Sequence, residues 1–431
     1  MDPTIAGAAL ALGLVLIMLT GIPVAVAFGL VNLVAAWFIF GNVDALSFLV
    51  QASFSSIANI NLTAVPFFIL MGAIFVRTGL SGIIYEGVAK MLTGIRASGS
   101  YMAVGNGVVF GALMGASVAA TAVLGATMLQ ELRDRGYSKA LSVGPILGAG
   151  TLDNLIPPSI GMVLIGTLSG ISIGDLLIAG IGPAFLIVGL FCAYIFLVAR
   201  WTDSAGDGAR RVSLRERLLG LLSLAPLLIP IFFVTGVIYL GIATPTEASV
   251  TGAAATLAVA IAYKRVTWAV VKQVLTETTI TTSMLLLIIA SSKAYSQILA
   301  MTGITGGVVS LLNSQPLPQE AVIAIIVAMV LLLGCFMDQS SVIFVSIPIF
   351  IKVVDAMQID PVWFGVMFSM AVGIGGITPP FGLNLFVLKG VAPRDISMRD
   401  IYVHALPFVA IEIVAIAVVL YLPFVATFLV R

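Results

Sequence analysis

The chain has 431 residues, 60% hydrophobic and only 9% charged, with a formal net charge of +1. A soluble globular domain carries about 25% charged residues, so the composition excludes a soluble enzyme and points to a polytopic helical membrane protein. The near-zero net charge gives no basis for nucleic-acid binding. Cys192 and Cys335 are far apart in apolar segments and support no disulfide framework.

Apolar runs of spanning length recur along nearly the whole chain. The opening Met-Asp-Pro lacks a basic region, so no cleaved signal peptide is expected. Spans are expected at 4–20, 22–40 and 62–77, and none is drawn between 41 and 61. The stretch 81–97 mixes apolar and charged residues at helical spacing and reads as an interfacial helix. Next come 101–134, a broken span 138–170, and 176–199. The polar stretch 201–217 is a loop. The second half offers 218–240, 247–263, 278–301, 319–357, a broken span 361–388, and 402–430.

The broken spans each carry a Pro-Pro pair, Pro157-Pro158 and Pro379-Pro380. Proline removes a backbone donor and clashes with the preceding turn, so it interrupts a helix. Carbonyls freed in this way are tolerated in hydrocarbon only where they are buried in protein or line a wet cavity. Stretches 101–134 and 319–357 each have a small or polar kink, at 111–117 and 334–341. Their arms of roughly 14–16 residues reach about 21–24 Å, short of a roughly 30 Å core. Reading both as re-entrant hairpins places the 20 Lys and Arg on one face, except Lys352 and Arg431 on the other and Lys293 within a span. The positive-inside rule makes the crowded face cytoplasmic and both termini external.

The halves align at a nearly constant offset. Pro23 maps to Pro245, Ala116 to Asp338, and Pro157-Pro158 to Pro379-Pro380, all at 222; Thr78-Gly79 maps to Thr302-Gly303 and Pro183 to Pro407 at 224. Five spans per half is odd, so the copies are inverted. The division is therefore a first repeat over 1–200, a cytoplasmic loop 201–217 and a second repeat over 218–431. Inverted repeats with discontinuous helices are a recurring transporter plan. The fold class expected is all-α, with two re-entrant hairpins and two broken helices.

Unwound carbonyls near Gly115, Gly150, Gly334, Gly375 and Gly376, with the side chains of Ser117, Thr151, Asn154, Asp338, Ser340 and Thr378, make an oxygen set suited to a hard cation. Pro158, Ser159, Pro380 and Asn384 lie where half-helices restart, and helix N-termini attract anionic groups. They are the candidate substrate contacts, with Lys293 as a counter-charge. Asp153 is an intramembrane carboxylate, costly and so a functional candidate, but it stands where the other half has Gly375. Thr244-Pro245-Thr246-Glu247 reads as a capping box. His404 and Glu412 in the last span are read as satisfying interhelical bonds. There is no ATP-binding Gly-x4-Gly-Lys-Ser/Thr and no His/Cys cluster of metal-ligand spacing.

These motifs resemble one family. Gly115-Ala-Ser117-Val-Ala-Ala-Thr121, Arg135-Gly-Tyr137, Ile156-Pro-Pro-Ser159, Gly241-Ile-Ala-Thr-Pro-Thr-Glu247, Met337-Asp338, Asp360-Pro361 and Ile377-Thr-Pro-Pro-Phe-Gly382-Leu-Asn384 are similar to those of the large membrane subunit of TRAP (tripartite ATP-independent periplasmic) transporters. Leu152-Asp153-Asn154 departs from the small or apolar residues expected there. The resemblance implies a sodium-coupled importer of organic acids, such as C4-dicarboxylates, sialic acid or 2-oxo acids, in the bacterial inner membrane. It also implies a periplasmic substrate-binding protein, a small four-helix membrane subunit as partner, and an elevator motion of the hairpins and breaks. One sodium would sit between the Ser117 tip and the first break, another among Asp338, Gly375 and Thr378. The alternatives are a stand-alone sodium-anion symporter of related architecture, a channel, and an intramembrane aspartyl protease using Asp153 and Asp338. Neither acid lies in the Gly-x-Gly-Asp motif of such proteases.

Overall fold

The computed structural model describes residues 3–20, 22–40, 44–114, 117–201, 213–302 and 317–430, and every regular element among them is helical. Four described helices are long and apolar enough alone to cross a membrane, and six if two bent pairs each cross as one span. Pro3–Leu19 and Val24–Phe40, at 17 residues each, stand where the first two spans are expected. Gly115, the loop 202–212 and the offset partners Ala116 and Gly303 lie outside the described residues.

Local chemistry sets the element ends. In the first half a pre-break helix, Lys139–Ala149, ends at Gly150, followed by a tight turn at Leu152–Asn154 and a cis Pro157-Pro158 bond. The post-break helix Ile160–Ser169 starts at Ser159, whose side chain accepts the Met162 N–H at 3.3 Å. In the second half Asp360 caps Pro361–Gly375, accepting from Val362 and Trp363 N–H at 2.9 and 3.0 Å. A cis Pro379-Pro380 bond follows, and Leu383–Val391 resumes the helix. The capping box at Thr244 is present as expected: Glu247 accepts the Thr244 N–H at 2.8 Å, and Pro245 is the first helical residue.

The packing is reciprocal between the halves. The leading arm of each kink, Ser98–Met114 or Gln319–Gly334, packs on the pre-break helix of its own half. The trailing arm, Ser117–Leu124 or Gln339–Ala356, packs on the post-break helix of the other half. The peripheral helices exchange in the same way: Val24–Phe40 lies on Trp268–Thr302, and Ala64–Arg77 on Pro245–Ala262. At the end holding the charged loops, Lys139 pairs with Asp400 at 2.8 Å and Arg133 with Asp395 at 3.4 Å, tying first half to second.

Two stretches differ from expectation. Asp44–Ile57 is a helix where no element is drawn. Its Ser, Gln and Asp residues keep it below the apolarity of a span, yet Ser55 and Ser56 donate to the Ala52 carbonyl within the helix, so the backbone remains helical. Helix Trp268–Thr302 starts ten residues before the span drawn at 278, through a polar turn in which Glu277 meets Arg77 at 2.8 Å. Leu80–Leu92 follows Ala64–Arg77 with a 72° bend. Gly79, at φ +68°, makes that turn without the steric cost of a Cβ.

Candidate functional site

The two breaks touch. A Cβ on Gly373 would stand 3.1 Å from the Thr151 carbonyl oxygen and 3.4 Å from Asn154 Nδ2, so the end of the second pre-break helix lies directly on the first break. The Asn154 carbonyl accepts two hydroxyls, Ser159 Oγ at 3.0 Å and Ser369 Oγ at 2.8 Å, the latter from the second half. The first break is buried from Thr151 to Leu155, as are Pro157 to Ser159.

A three-residue relay joins the parts. Asn384 Nδ2 donates to Ser117 Oγ at 2.5 Å, across 267 residues of sequence, and Ser117 Oγ donates to the Gly150 carbonyl at 2.5 Å. Asn384 is held in turn by its own N–H on the Gly376 carbonyl at 3.0 Å. Expected cation residues Ser117, Gly150 and Gly376 and expected substrate residue Asn384 therefore form one connected unit. Thr151 donates to the Gly148 carbonyl at 2.7 Å and lies 2.5 Å from Glu412 Oε1.

The second kink meets the second break through glycine: a Cβ on Gly334 would lie 2.8 Å from the Gly375 Cα. Asp338 caps the trailing arm, accepting from the Ser341 N–H at 3.1 Å and from the Ser341 hydroxyl. Its carboxylate is half-buried and its capping bonds leave lone pairs free. Ser340 stands beside it. Thr378 Oγ1 turns back to the Ile374 carbonyl at 2.8 Å. Pro380 is exposed, and its carbonyl accepts Tyr402 Oη at 2.7 Å. Pro158 is buried in the first break.

Lys293 is not joined to this network. Its Nζ donates to the Leu168 carbonyl at 2.7 Å, at the C-terminal end of the first post-break helix. A cation there satisfies a terminal carbonyl and opposes the negative end of the helix dipole. In this structure the Lys293 ammonium thus makes a structural contact between helices.

Three participants escape the sequence reading. Ser369 braces the first break from the second half. Thr121, in the trailing arm, places Oγ1 only 2.1 Å from where a Gly150 Cβ would be, so a side chain there would have to displace the Thr121 hydroxyl. Glu412, read as an interhelical bond former, does make one, to Thr151, but at the first break itself. An acid within the apolar stretch 405–421 is the available signal. His404, by contrast, bonds within its own helix, Nδ1 to the Asp400 carbonyl at 2.7 Å.

The model of the tripartite ATP-independent periplasmic transporter DctM component matches residues 11–425. The chain belongs to this family. The permease is 29% identical over 425 residues to the ectoine TRAP transporter large permease protein TeaC of Halomonas elongata, covering 96% of each chain. It is 32% identical over 383 residues to the C4-dicarboxylate TRAP transporter large permease protein DctM of Pseudomonas aeruginosa, covering 88% of each. The solved YdaH transporter of Alcanivorax borkumensis shares the fold, with a TM-score of 0.64 at 13% identity over 97% of this chain and 98% of that one. The permease is thus a multi-pass membrane transport subunit, and its relatives serve chemically different substrates.

Proposed function

We propose that the permease is the large subunit of a sodium-coupled importer of organic acids in the bacterial inner membrane. The observation that carries this reading is the Asn384–Ser117–Gly150 relay, which brings a kink tip, a helix break and the restart of the other half's helix to one point. Irregular backbone in a membrane bundle persists where it is buried or lines a cavity, and this one gathers carbonyl and hydroxyl oxygens of the kind sodium takes. A second sodium has Asp338, Gly375 and Thr378 as candidate ligands. The N-termini of Ile160–Ser169 and Leu383–Val391 offer positive dipole ends to a carboxylate.

The reciprocal packing supports two inverted repeats, 1–200 and 218–431, with kinks acting as re-entrant hairpins on opposite sides and both termini periplasmic. The kinks and breaks move together as the transport body of an elevator against the peripheral helices. A small membrane subunit and a periplasmic substrate-binding protein complete the system, in keeping with the tripartite family. The binding protein sets most of the substrate choice, consistent with ectoine and C4-dicarboxylate systems having similar large subunits.

The test is reconstitution in liposomes with and without the two partners, following labelled C4-dicarboxylate and 2-oxo acid uptake under an inward sodium gradient. Uptake is expected only with sodium and both partners. Uptake indifferent to sodium removes the coupling ion, and uptake by the permease alone removes the tripartite reading.

A further inference from the structure

The helices Pro245–Ala262 and Trp268–Thr302 both pack on Ala64–Arg77 but have little contact with each other. Between the three lies a cavity of about 300 Å³. Phe67 and Ile74 form one wall, Ala254 and Leu257 the second, Val270 and Leu275 the third. Every lining residue is apolar except Thr78, whose Oγ1 donates to the Ile74 carbonyl at 2.6 Å. Leu257 and Leu275 are exposed, so the cavity is open to the surroundings rather than sealed.

Protein interiors are close-packed and hold few voids larger than a water molecule. An apolar cavity of about 150 Å³ is already large enough to take up benzene. One of roughly twice that size, with its single hydroxyl already bonded, offers water no partners and suits an apolar ligand. A transmembrane helix is about 10 Å across, too thick for this space. A single hydrocarbon chain is not.

The mouth carries positive charge. Lys264 and Arg265 directly precede the lining residue Val266, and Lys272 directly follows Val271. All three are exposed, and none forms an ion pair among the described residues. The acid nearest Lys272 in sequence, Glu277, is engaged by Arg77 at 2.8 Å. Lys264 and Arg265 also follow the C-terminal end of Pro245–Ala262, where cations oppose the helix dipole. Lys272, near the start of the next helix, has no such use. Tyr263 and Trp268 flank the basic pair, the indole 82% exposed. Such rings settle at the headgroup level of a bilayer. The three cations therefore stand at phosphate depth beside an apolar slot.

We propose that this cavity binds one acyl chain of an anionic phospholipid, whose phosphate is held by Lys264, Arg265 and Lys272. Hydrocarbon burial supplies the anchoring. Cations without a counter-ion select a headgroup of net negative charge over a zwitterionic one. The lining residues belong to the peripheral helices and their connecting turn, none to the kinks or breaks. The lipid thus fills the gap between Pro245–Ala262 and Trp268–Thr302 and leaves the oxygen-rich centre untouched.

The experiment is native mass spectrometry of the full permease, stripped of lipid and titrated with phosphatidylglycerol or with phosphatidylethanolamine of the same chains. Phosphatidylglycerol is expected to be retained at about tenfold lower concentration. Lys264→Gln with Arg265→Gln and Lys272→Gln should bring the two lipids level, and Ala254→Phe, which fills the slot from an exposed position, should weaken both. Equal retention by the unaltered protein, a preference that survives the triple change, or undiminished binding in a folded Ala254→Phe overturns the proposal. Phosphatidylglycerol with a diazirine near the end of one acyl chain locates the site without any substitution. Label is expected in 67–78, 250–257 and 266–275. Label absent from these segments, or spread evenly over every lipid-facing helix, overturns it. Label there that is lost when the permease is purified together with its small membrane subunit assigns the cavity to that partner and overturns the lipid.

Discussion

Gly334 and Gly375 meet backbone to backbone. A Cβ on the first would stand 2.8 Å from the Cα of the second, and a Cβ on the second 2.7 Å from the Cα of the first. Gly111 makes the same approach to Asp153 in the first half, at 2.9 Å from the Asp153 Cα. In both halves the leading arm thus lies against the chain where a pre-break helix gives way to irregular backbone. The contact places the kink next to unwound carbonyls, and in the second half it does so only without a methyl group on either side.

Gly334→Ala and Gly375→Ala are therefore each expected to cost about 1–3 kcal/mol and to cut uptake to a small fraction. Gly390→Ala, whose added Cβ meets nothing within 4 Å, is the control and should melt at or above the original temperature. Thermal unfolding in detergent checks all three, and a Gly375→Ala variant as stable and active as the original would refute the packing argument.

Ser117 is the middle of the relay, so its removal strands the buried Asn384 amide. An unsatisfied buried donor costs about 1–3 kcal/mol. Ser117→Ala is expected to raise the half-saturating sodium concentration about tenfold, equivalent to about 1.4 kcal/mol. Ser117→Ala with Asn384→Ala should cost less than the sum of the two single changes. Thr378→Ala, which loses a hydroxyl already bound to the Ile374 carbonyl, should shift the sodium titration by a smaller factor. Sodium titrations of uptake in proteoliposomes provide the measurement.

Lys139 and Asp400 join the halves at 2.8 Å, and Asp400 also completes the capping box of the last long helix with Ser397. Both side chains are partly exposed, so the ion pair itself contributes at most about 1 kcal/mol. Loss of the cap adds a further ~1 kcal/mol. Asp400→Ala should consequently destabilise more than Lys139→Ala, and equal losses in a melting experiment would show that the cap is unimportant.

Lys293→Met removes the donor from the Leu168 carbonyl at a helix end. Stability should fall by about 1 kcal/mol, with the apparent KM for substrate within about twofold. A large rise in KM at unchanged stability would return Lys293 to the substrate site.

Much of the architecture was legible because its signals are local. Pro157-Pro158, Pro379-Pro380 and the flanking glycines interrupt helices wherever they occur, and Thr244-Pro245-Thr246-Glu247 caps one by its own atoms. The irregular backbone of the first break is legible for the same reason. Lys293 and Glu412 were harder: each is a charged residue in an apolar helix, but only the neighbouring helix says what it meets. Asp44–Ile57 is hard to read from sequence because its Ser, Gln and Asp residues hold it below the apolarity of a span, and its packing on Trp268–Thr302 leaves no local signal.

The order of helices, their breaks and the repeat at an offset of 222 follow from the chain itself, since proline, glycine and apolar periodicity act over a few residues. Which helix faces which was decided by the tertiary structure. Nothing local in Ser117 announces Asn384, 267 residues away, nor in Thr151 announces Glu412, 261 residues away. Those pairs depend on how two helices cross and rotate against each other, and that is settled by packing the whole bundle at once.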